Sequence, residues 1–483
     1  MTYTKWIYRL SLIVLFLACG SFAASQENEH PTPTAQEIDT YIRAGMEQLN
    51  IPGAAFALFE NGEITHIQGF GRIDDSGDTV APQTPFQLAS VTKSFTSMIV
   101  LQLAQEGLLS INDPVVKHIP YFRTADPEAS SFITIRHLMN HRSGLTMLDG
   151  NRYQRTQYRG ADATERAVRR LVRAKLHAVP GERYQYSNAN YATLAHLIER
   201  IEQRPYEDVL ETRIFSKIGL ANTYVQIQNR PTADEAKGHM QWFGFALEDH
   251  LIAGRMMMGA GGIAASAEDL ANYLIAVSAN DPRIVPTTLT ESWAKDREFA
   301  YEFGWQHDAF AGRRTIFHDG ANPGFRAVVM YEPGADKGAL FLMNVSGTHE
   351  GSLHHGAVRY ALGLPPADIS PAALFVNLLW GSMVFAIILA LAASLSIWRL
   401  LKTASKPWVR SRPLRWAILV VPSLLLVSFA FALWFYVPRS FGVNFAASSL
   451  FFPDLGALQL IQIAIAVIWA AARTILLLRR MQV

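Results

Sequence analysis

The chain has 483 residues, of which half are hydrophobic and only 17% are charged, and its formal net charge is +2. This composition is apolar for a soluble protein, so we expect membrane-spanning segments. Between Ser25 and Ser370 there are 31 basic and 40 acidic residues, and this acidic stretch has no basic stripe or motif for nucleic acid. The single cysteine, Cys19, leaves residues 26–483 without a disulfide, a thiol nucleophile or a cysteine metal site.

Residues 1–25 have the features of a secretory signal peptide. Lys5 and Arg9 form the charged start, residues 10–18 form the apolar run, and Ser21-Phe22-Ala23 is a small-x-small cleavage signal. Two alternatives stay open: acylation of Cys19, as in a lipoprotein, or an uncleaved helix that remains as an anchor. All three place the residues that follow outside the cytoplasm.

Residues 26–370 predict one α+β domain. A polar stretch over 27–37 indicates a linker, and Asn61-Gly62 between apolar runs at 54–59 and 63–69 predicts a β-hairpin. Helical spacing is found at Ser90–Gln105, Tyr191–Arg200 and 267–277, and three strands are predicted at Arg314–His318, Phe325–Tyr331 and Gly338–Asn344. Strands at both ends with helices between them predict an antiparallel sheet with an inserted helical region.

Residues 371–483 predict a three-helix transmembrane anchor. Three apolar stretches are each long enough to cross a hydrocarbon core: Ala372–Ile397, Trp416–Val437 and Leu455–Leu478. The loop between the first two has six basic residues, whereas the next loop has only Arg439 and Asp454. Since basic loops stay inside, the domain of residues 26–370 is expected on the outer face of the cytoplasmic (inner) membrane. Arg473 lies close enough to the end of the third span to reach the interface.

The pair Ser90 and Lys93 is the first candidate for catalysis. Serine needs a neighbouring base to act as a nucleophile, and residues three apart on a helix share a face. At the start of a helix the Ser90 amide is also free to donate to a developing oxyanion. Taken alone, a helix-capping serine and a solvated lysine would explain this pattern better.

Two further motifs complete a possible site. In Tyr186-Ser187-Asn188, a tyrosine near a cationic lysine can become a phenolate and shuttle a proton, and Asn188 can hydrogen-bond an acyl amide. His318-Asp319-Gly320 ends a predicted strand, whose edge could pair with an extended substrate and supply an amide to an oxyanion hole.

The three motifs, in this order, resemble the serine β-lactamase and penicillin-binding-protein superfamily, especially its class C-like branch. The segments 133–145 (ITIRHLMNHRSGL) and 259–263 (GAGGI) also fit that branch, and the resemblance covers about residues 35–365. It implies a serine hydrolase with Ser90 as the acylated nucleophile, Lys93 and Tyr186 as the acid/base pair, and the Ser90 and Ala321 amides as the oxyanion hole. It also implies no cofactor, and substrate contacts from Gln87, Asn188, His318, Gly320, Ala321 and Asn322.

Two features bear on the substrate, which we expect to be a small molecule or a peptide. Where many superfamily members carry Lys-Thr-Gly, His318 and Asp319 replace the lysine and the threonine, which disfavours a free substrate carboxylate. The architecture is similar to prodrug-activating D-peptidases such as the colibactin-maturing peptidase, although Gln87 stands where an acid would be expected. A peptidase or amidase on N-acylated, D-configured peptides or a capped natural product is therefore the main hypothesis.

Three alternatives stay open: an esterase, a β-lactamase of the same family, or a catalytically silent membrane sensor or binding module. His137 and His141, four residues apart, could share a helix face and bind a metal. The zinc-protease pattern needs a glutamate between them, which this sequence lacks, so we expect no metal there. Membrane lipid is the expected partner of the C-terminal segment.

Overall fold

The computed structural model describes residues 32–151, 158–226, 234–249, 254–294, 300–371, 373–403 and 411–482. The described residues form two compact units, one up to Pro371 and one from Ala373 onwards. The predicted signal peptide, with Cys19, lies outside the described residues, as do the first residues of the predicted linker.

The first unit is built on a seven-stranded antiparallel sheet in the order β2-β1-β12-β11-β10-β9-β8. The predicted hairpin is confirmed, and its Asn61 and Gly62 both have positive φ, as a tight hairpin turn requires. The strands are β1 (Gly53–Glu60), β2 (Glu63–Gly71), β8 (Ala300–Glu302), β9 (Trp305–Phe310), β10 (Arg313–Asn322), β11 (Phe325–Glu332) and β12 (Lys337–Met343). Because strands from both ends of the unit pair with each other, the predicted α+β class is confirmed.

Two three-stranded sheets flank this main sheet. Their strands are too short for a sequence period to show: β3 (Phe86–Gln87), β4 (Thr223–Val225), β5 (Gly238–Trp242), β6 (Phe245–Asp249), β7 (Ile263–Ala265) and β13 (Val345–Ser346). One sheet has the order β3-β7-β4 and the other β13-β5-β6.

Side chains along a strand of the main sheet point alternately to its two faces, and both faces are buried. Ala55, Ala57 and Phe59 of β1 belong to the larger core, whereas Phe56 and Leu58 belong to the smaller one. The smaller core is closed by helices α1 (Ala35–Leu49) and α5 (Leu353–Ala361). The larger core contains α2 (Thr92–Gln105), α3 (Asn188–Glu202) and α4 (Ala267–Ser278).

Shorter helices make up the rest of the inserted helical region. They are Val115–His118, Pro127–Phe132, Ile135–Met139, Met147–Asn151, Ala163–Arg169, Tyr206–Leu210, Ser216–Ile218, Met258–Gly261 and Thr287–Ala294. The region therefore consists of short segments packed around α2 and α3.

Some predicted boundaries were wrong. Helix α1 begins at Ala35, inside the predicted linker, because Thr34 and Glu37 form a capping box. The predicted helix at Ser90 begins instead as a 3₁₀ turn over Ala89–Val91. Strand β10 runs four residues beyond His318, so the third motif lies within a strand and not at its end.

The second unit contains three helices that are long and apolar enough to cross a membrane. They are α6 (Ala373–Lys402), α7 (Arg412–Phe431, continued by a π turn and Val437–Ser440) and α8 (Pro453–Gln482), and a short helix, Phe445–Phe451, precedes the last. The described residues of all three predicted spans are therefore helical. Arg473 of α8 donates to the Ile418 carbonyl of α7 at 2.8 Å, so its guanidinium has a protein partner that the sequence did not predict.

Candidate active site

Ser90 and Lys93 lie where a 3₁₀ turn joins helix α2. Ala89, the residue before Ser90, has a φ of +48°, a left-handed conformation that is costly for a residue with a side chain. The turn leaves Ser90 partly exposed while Lys93, one helical turn on, is fully buried. Lys93 Nζ lies 2.9 Å from Ser90 Oγ. The spacing on which the sequence prediction rested therefore brings the two side chains together.

Tyr186 reaches the same oxygen from the loop that precedes α3. Its hydroxyl lies 2.7 Å from Ser90 Oγ, and its ring centroid is 4.9 Å from Lys93 Nζ. Ser90 Oγ thus has an amine and a phenol within hydrogen-bond distance. Such a group can lose its proton to one neighbour while the other holds a proton for a leaving group.

The surroundings set the protonation of these groups. Burial lowers the pKa of Lys93 well below 10.5, although the charge of Asp319 acts in the opposite sense. Loss of water raises the pKa of Tyr186 well above 10, while its hydrogen bond to Ser90 acts to lower it. The sequence suggested a phenolate beside a cationic lysine. A neutral amine beside a protonated phenol is favoured here, because both ionised forms lose hydration in this site.

Lys93 has a second anchor that sequence reasoning missed. Its Nζ donates to the Ala260 carbonyl at 2.6 Å. Ala260 belongs to the segment 259–263, which carried the resemblance but to which no role had been assigned. This bond fixes the amine beside Ser90 without adding a charge.

Strand β10 passes close to the nucleophile turn. It pairs with β9 only from Arg313 to Phe317, so residues 318–322 have no partner strand on that side within the described part of the chain. A Cβ at Gly320 would lie 2.2 Å from the Leu88 carbonyl oxygen and 3.0 Å from the Ser90 nitrogen. Only glycine permits this approach, which brings the next residue, Ala321, beside the Ser90 turn.

His318 faces the Ser90 side of the sheet and is neutral at pH 7. Its Nδ1 lies 2.7 Å from the Asp319 carbonyl and must donate, so its Nε2 accepts from the Tyr301 hydroxyl at 3.1 Å. Burial lowers the pKa of His318 to about 4, with the charge of Asp319 acting in the opposite sense. His318 therefore offers no fixed positive charge to a substrate.

Asp319 lies on the other face of the sheet. It is paired with Val328 of the smaller core, and its Oδ1 accepts from Gln306 at 3.2 Å. Burial acts to raise the pKa of Asp319, but His355, His318 and Arg326 outweigh it, and the pKa is lowered. From the sequence, Asp319 was weighed as a neighbour of the substrate. Strand alternation turns it away, so its influence on Ser90 is limited to its charge.

The predicted substrate contacts divide into two groups. Asn322 Nδ2 donates to Gln87 Oε1 and to the Gly261 carbonyl, both at 3.1 Å. Gln87 and Asn322 therefore form one fixed amide pair. Asn188 Nδ2 donates to Asn151 Oδ1 at 3.2 Å, while the buried Asn188 Oδ1 has no partner within the part of the chain that the structure describes. The hydrogen-bonding capacity of that oxygen, two residues after Tyr186, is therefore unused among these residues.

His141 is a member of the site that sequence reasoning missed. Its Nδ1 accepts from the Ser187 N–H at 3.2 Å and from Asn190 Nδ2 at 3.0 Å, and its ring lies 4.4 Å from that of Tyr186 and 4.7 Å from that of Tyr301. Burial first, then the charges of Lys93 and His318, lower the pKa of His141. A neutral imidazole thus supports the loop that carries Tyr186.

His137 and His141 do not share a helix face. The helix Ile135–Met139 ends before His141, which has a φ of +54°. His137 uses its Nδ1 as an acceptor for the Thr134 amide at 3.3 Å. The two rings therefore serve separate local structures. Ser143, buried nearby, donates to Asn190 Oδ1 at 2.6 Å and so has a structural partner.

Comparisons with known proteins agree with this geometry. The sequence profile of the family described as Beta-lactamase matches residues 38–362. "Protein flp" of Staphylococcus aureus (strain MRSA252) is 27% identical over 329 residues, which cover 64% of this chain and 63% of that protein. The chain thus spans less than two thirds of the length of that relative. "Teichoic acid D-alanine hydrolase" of S. aureus is 26% identical over 330 residues, 67% of this chain and 77% of that protein.

Among solved structures, the octameric penicillin-binding protein homologue from Pyrococcus abyssi has the same fold. The similarity has a TM-score of 0.57 at 24% identity, and it covers 72% of this chain and 78% of that one. At this level of identity the similarity concerns the fold alone.

Proposed function

Since the chain belongs to the Beta-lactamase family and is a serine hydrolase, we propose that it cleaves acyl amides through an ester formed on Ser90. The observation that carries this proposal is the position of Ser90 Oγ, 2.9 Å from Lys93 Nζ and 2.7 Å from the Tyr186 hydroxyl. The lowered pKa of Lys93 and the raised pKa of Tyr186 favour the amine as base and the phenol as acid.

In the proposed reaction, neutral Lys93 takes the proton of Ser90 as Oγ attacks the substrate carbonyl carbon. The carbonyl oxygen becomes an oxyanion, which the Ser90 and Ala321 amides stabilise. Tyr186 then gives its proton to the leaving nitrogen and regains one from the Lys93 ammonium, so the C–N bond breaks with charge balanced. Water attacks the ester in the reverse sense, which releases the acid and restores Ser90.

The proposed substrate is an N-acylated D-aminoacyl amide without a free carboxylate beside the bond that breaks. Neutral His318 replaces the fixed cation that would bind such a carboxylate. The D configuration rests on the relative whose printed name is a D-alanine hydrolase. A natural product with a D-aminoacyl cap belongs to this class, and the Asn188 oxygen would accept its acyl amide N–H.

We further propose that the three C-terminal helices hold the hydrolase unit on the outer face of the cytoplasmic membrane. The basic loop between α6 and α7 supports this orientation. In a Cys19→Ala chain, a membrane-impermeant maleimide added to intact cells should label Ser131→Cys of the hydrolase unit but not Lys402→Cys at the end of α6. The reverse labelling pattern would contradict the orientation.

The reaction is tested with the full chain in membranes on matched N-acyl-D- and N-acyl-L-aminoacyl amides and esters, with the enzyme analysed by mass spectrometry. Wild type should cleave the D-amides and carry an acyl adduct on Ser90. Ser90→Ala should do neither, and the exposed-serine control Ser131→Ala should match wild type. Cleavage of esters alone, in both configurations, would indicate an esterase. Hydrolysis of a β-lactam in preference to the amides would indicate a β-lactamase. Failure of Ser90 to react with any substrate or fluorophosphonate probe would indicate a binding module.

A further inference from the structure

A second polar cluster lies on elements that contribute no residue to the Ser90 site. Asp75 is in the loop after β2, His239 is in β5 and Glu248 is in β6. One ligand atom from each of these three residues lies within 4.8 Å of the other two. An imidazole nitrogen and two carboxylates this close together are groups of the kind that bind a metal ion.

His239 is the central member of the cluster. The side chain is fully buried, and its Nδ1 lies 3.1 Å from the Asn344 carbonyl oxygen. A carbonyl only accepts, so Nδ1 carries a hydrogen. The other nitrogen, Nε2, is buried without a hydrogen-bond partner among the described residues, and the nearest carboxylate oxygen, Asp75 Oδ1, is 3.5 Å away. With Nδ1 used in this bond, Nε2 is the nitrogen that faces Asp75 and is left for a metal, which is the arrangement of histidines that bind one.

Backbone contacts bring Glu248 and the Asp75 loop to the side of the hairpin that carries His239. Glu248 is the cross-strand partner of His239, so their side chains lie on one face of the hairpin. The Asp75 amide donates to Glu248 Oε2 at 3.1 Å, which closes the loop onto the hairpin. Asp75 Oδ1 also accepts from Arg72 at 3.0 Å, but that ion pair is exposed and is therefore weak.

We propose that Asp75, His239 and Glu248 bind a divalent transition-metal ion of the Zn²⁺ class. Among the described residues, the buried, unpartnered Nε2 and the two carboxylates offer one nitrogen and two oxygen ligands to a common point, which suits a cation between them. Zinc is bound by such nitrogen and oxygen ligands at about 2.0–2.2 Å in a tetrahedron, which separates the ligand atoms by about 3.4 Å. The His239–Asp75 pair has this separation at 3.5 Å, and all three ligand atoms lie within 4.8 Å of one another.

The position of the cluster indicates a structural metal. Gly238, next to His239, packs against the Gly324 turn between β10 and β11, where a Cβ on Gly324 would lie 2.8 Å from the Gly238 Cα. This turn follows Asn322 of the Ser90 site. A bound ion would tie the loop after β2 to the β5–β6 hairpin and so brace the turn from outside, without touching a substrate.

The test is Zn²⁺ binding by the full chain in detergent, stripped with a chelator and followed by calorimetry and elemental analysis. Wild type should bind one Zn²⁺ per chain, and the metal should raise its melting temperature. Glu248→Gln and, on the exposed loop, Asp75→Asn should each weaken binding by about tenfold or more, because loss of even an outer partner costs about 10–100-fold.

His66→Gln is the matched control, since His66 lies 2.8 Å from a single carboxylate, Asp39, and should bind zinc no differently from wild type. Labelling of Ser90 by a fluorophosphonate probe shows that each variant is folded. Equal zinc binding by wild type and by both carboxylate variants, or no binding by folded wild type, would overturn the proposal.

Discussion

Gly320→Ala tests whether the close approach of β10 to the nucleophile turn controls acylation. The new Cβ would lie 2.2 Å from the Leu88 oxygen, whereas ordinary contact begins at 3.4 Å. Strand and turn must therefore separate by about 1 Å, since both contacts are with backbone atoms. A misplacement of this size costs about 100-fold in rate, and loss of one oxyanion-hole donor costs about 100- to 1,000-fold. We expect Ser90 acylation to fall at least about 100-fold.

The assay follows the acyl adduct on Ser90 over time by mass spectrometry, with thermal unfolding of the full chain measured alongside it. Gly334→Ala is the matched control, because a Cβ at Gly334 meets nothing within 4 Å. It should acylate at the wild-type rate. The reasoning is refuted if folded Gly320→Ala acylates as fast as wild type, or if Gly334→Ala is slowed to the same extent.

Three further predictions concern titrating groups. Lys93→Ala should lower the acylation rate about 100- to 10,000-fold by removing the base. The control Lys117→Ala, which changes an exposed lysine of an ion pair, should leave the initial burst of acylation unchanged. A normal acylation burst in Lys93→Ala would contradict the role of Lys93 as the base. In wild type the acylation rate should rise with pH as Lys93 loses its proton, with its midpoint well below 10.5 because burial lowers the Lys93 pKa; a midpoint near 10.5 in stopped-flow data would argue against this. The pKa of His318 falls from 6.5 to about 4 on folding, so between these pH values the unfolded chain binds more protons than the folded chain. The contribution of His318 to stability is therefore present above pH 6.5 and lost as the pH falls towards 4. In urea unfolding, the stability of His318→Gln should depend less on pH in this range than that of wild type, and an unchanged pH profile would refute the prediction.

Local patterns in the sequence predicted much of the fold. The first hairpin could be predicted from Asn61-Gly62, because few other residue pairs accept two positive φ values. The strands at 313–343 were predicted from apolar runs separated by turn residues, and the three apolar helices from the length of their apolar stretches, which are local properties. The 3₁₀ turn at Ala89 could not be predicted, because its left-handed alanine is held by contacts with β10 and not by any preference of the local sequence.

The site could be predicted only where its residues are close in sequence. Ser90 and Lys93 are three apart, so helix geometry placed them together. Ala260 contacts Lys93, His141 contacts Tyr186 and Tyr301 contacts His318, all between residues far apart in the chain, which no local pattern encodes. The orientation of Asp319 could have been predicted if β10 had been expected to continue to Asn322. Neighbouring residues of a strand point to opposite faces, so Asp319 would then have been placed on the face opposite His318.

The unpaired edge of β10 has a consequence for the length of the molecule that this enzyme recognises. Among the described residues, 318–322 lie beyond the pairing with β9, and these five residues extend over about 17 Å at 3.4 Å per residue. A strand directs alternate residues to each edge, so this length can form hydrogen bonds with only about two residues of an extended partner. Selectivity should therefore depend on the one or two groups next to the bond that breaks, and long and short chains with the same end should react alike.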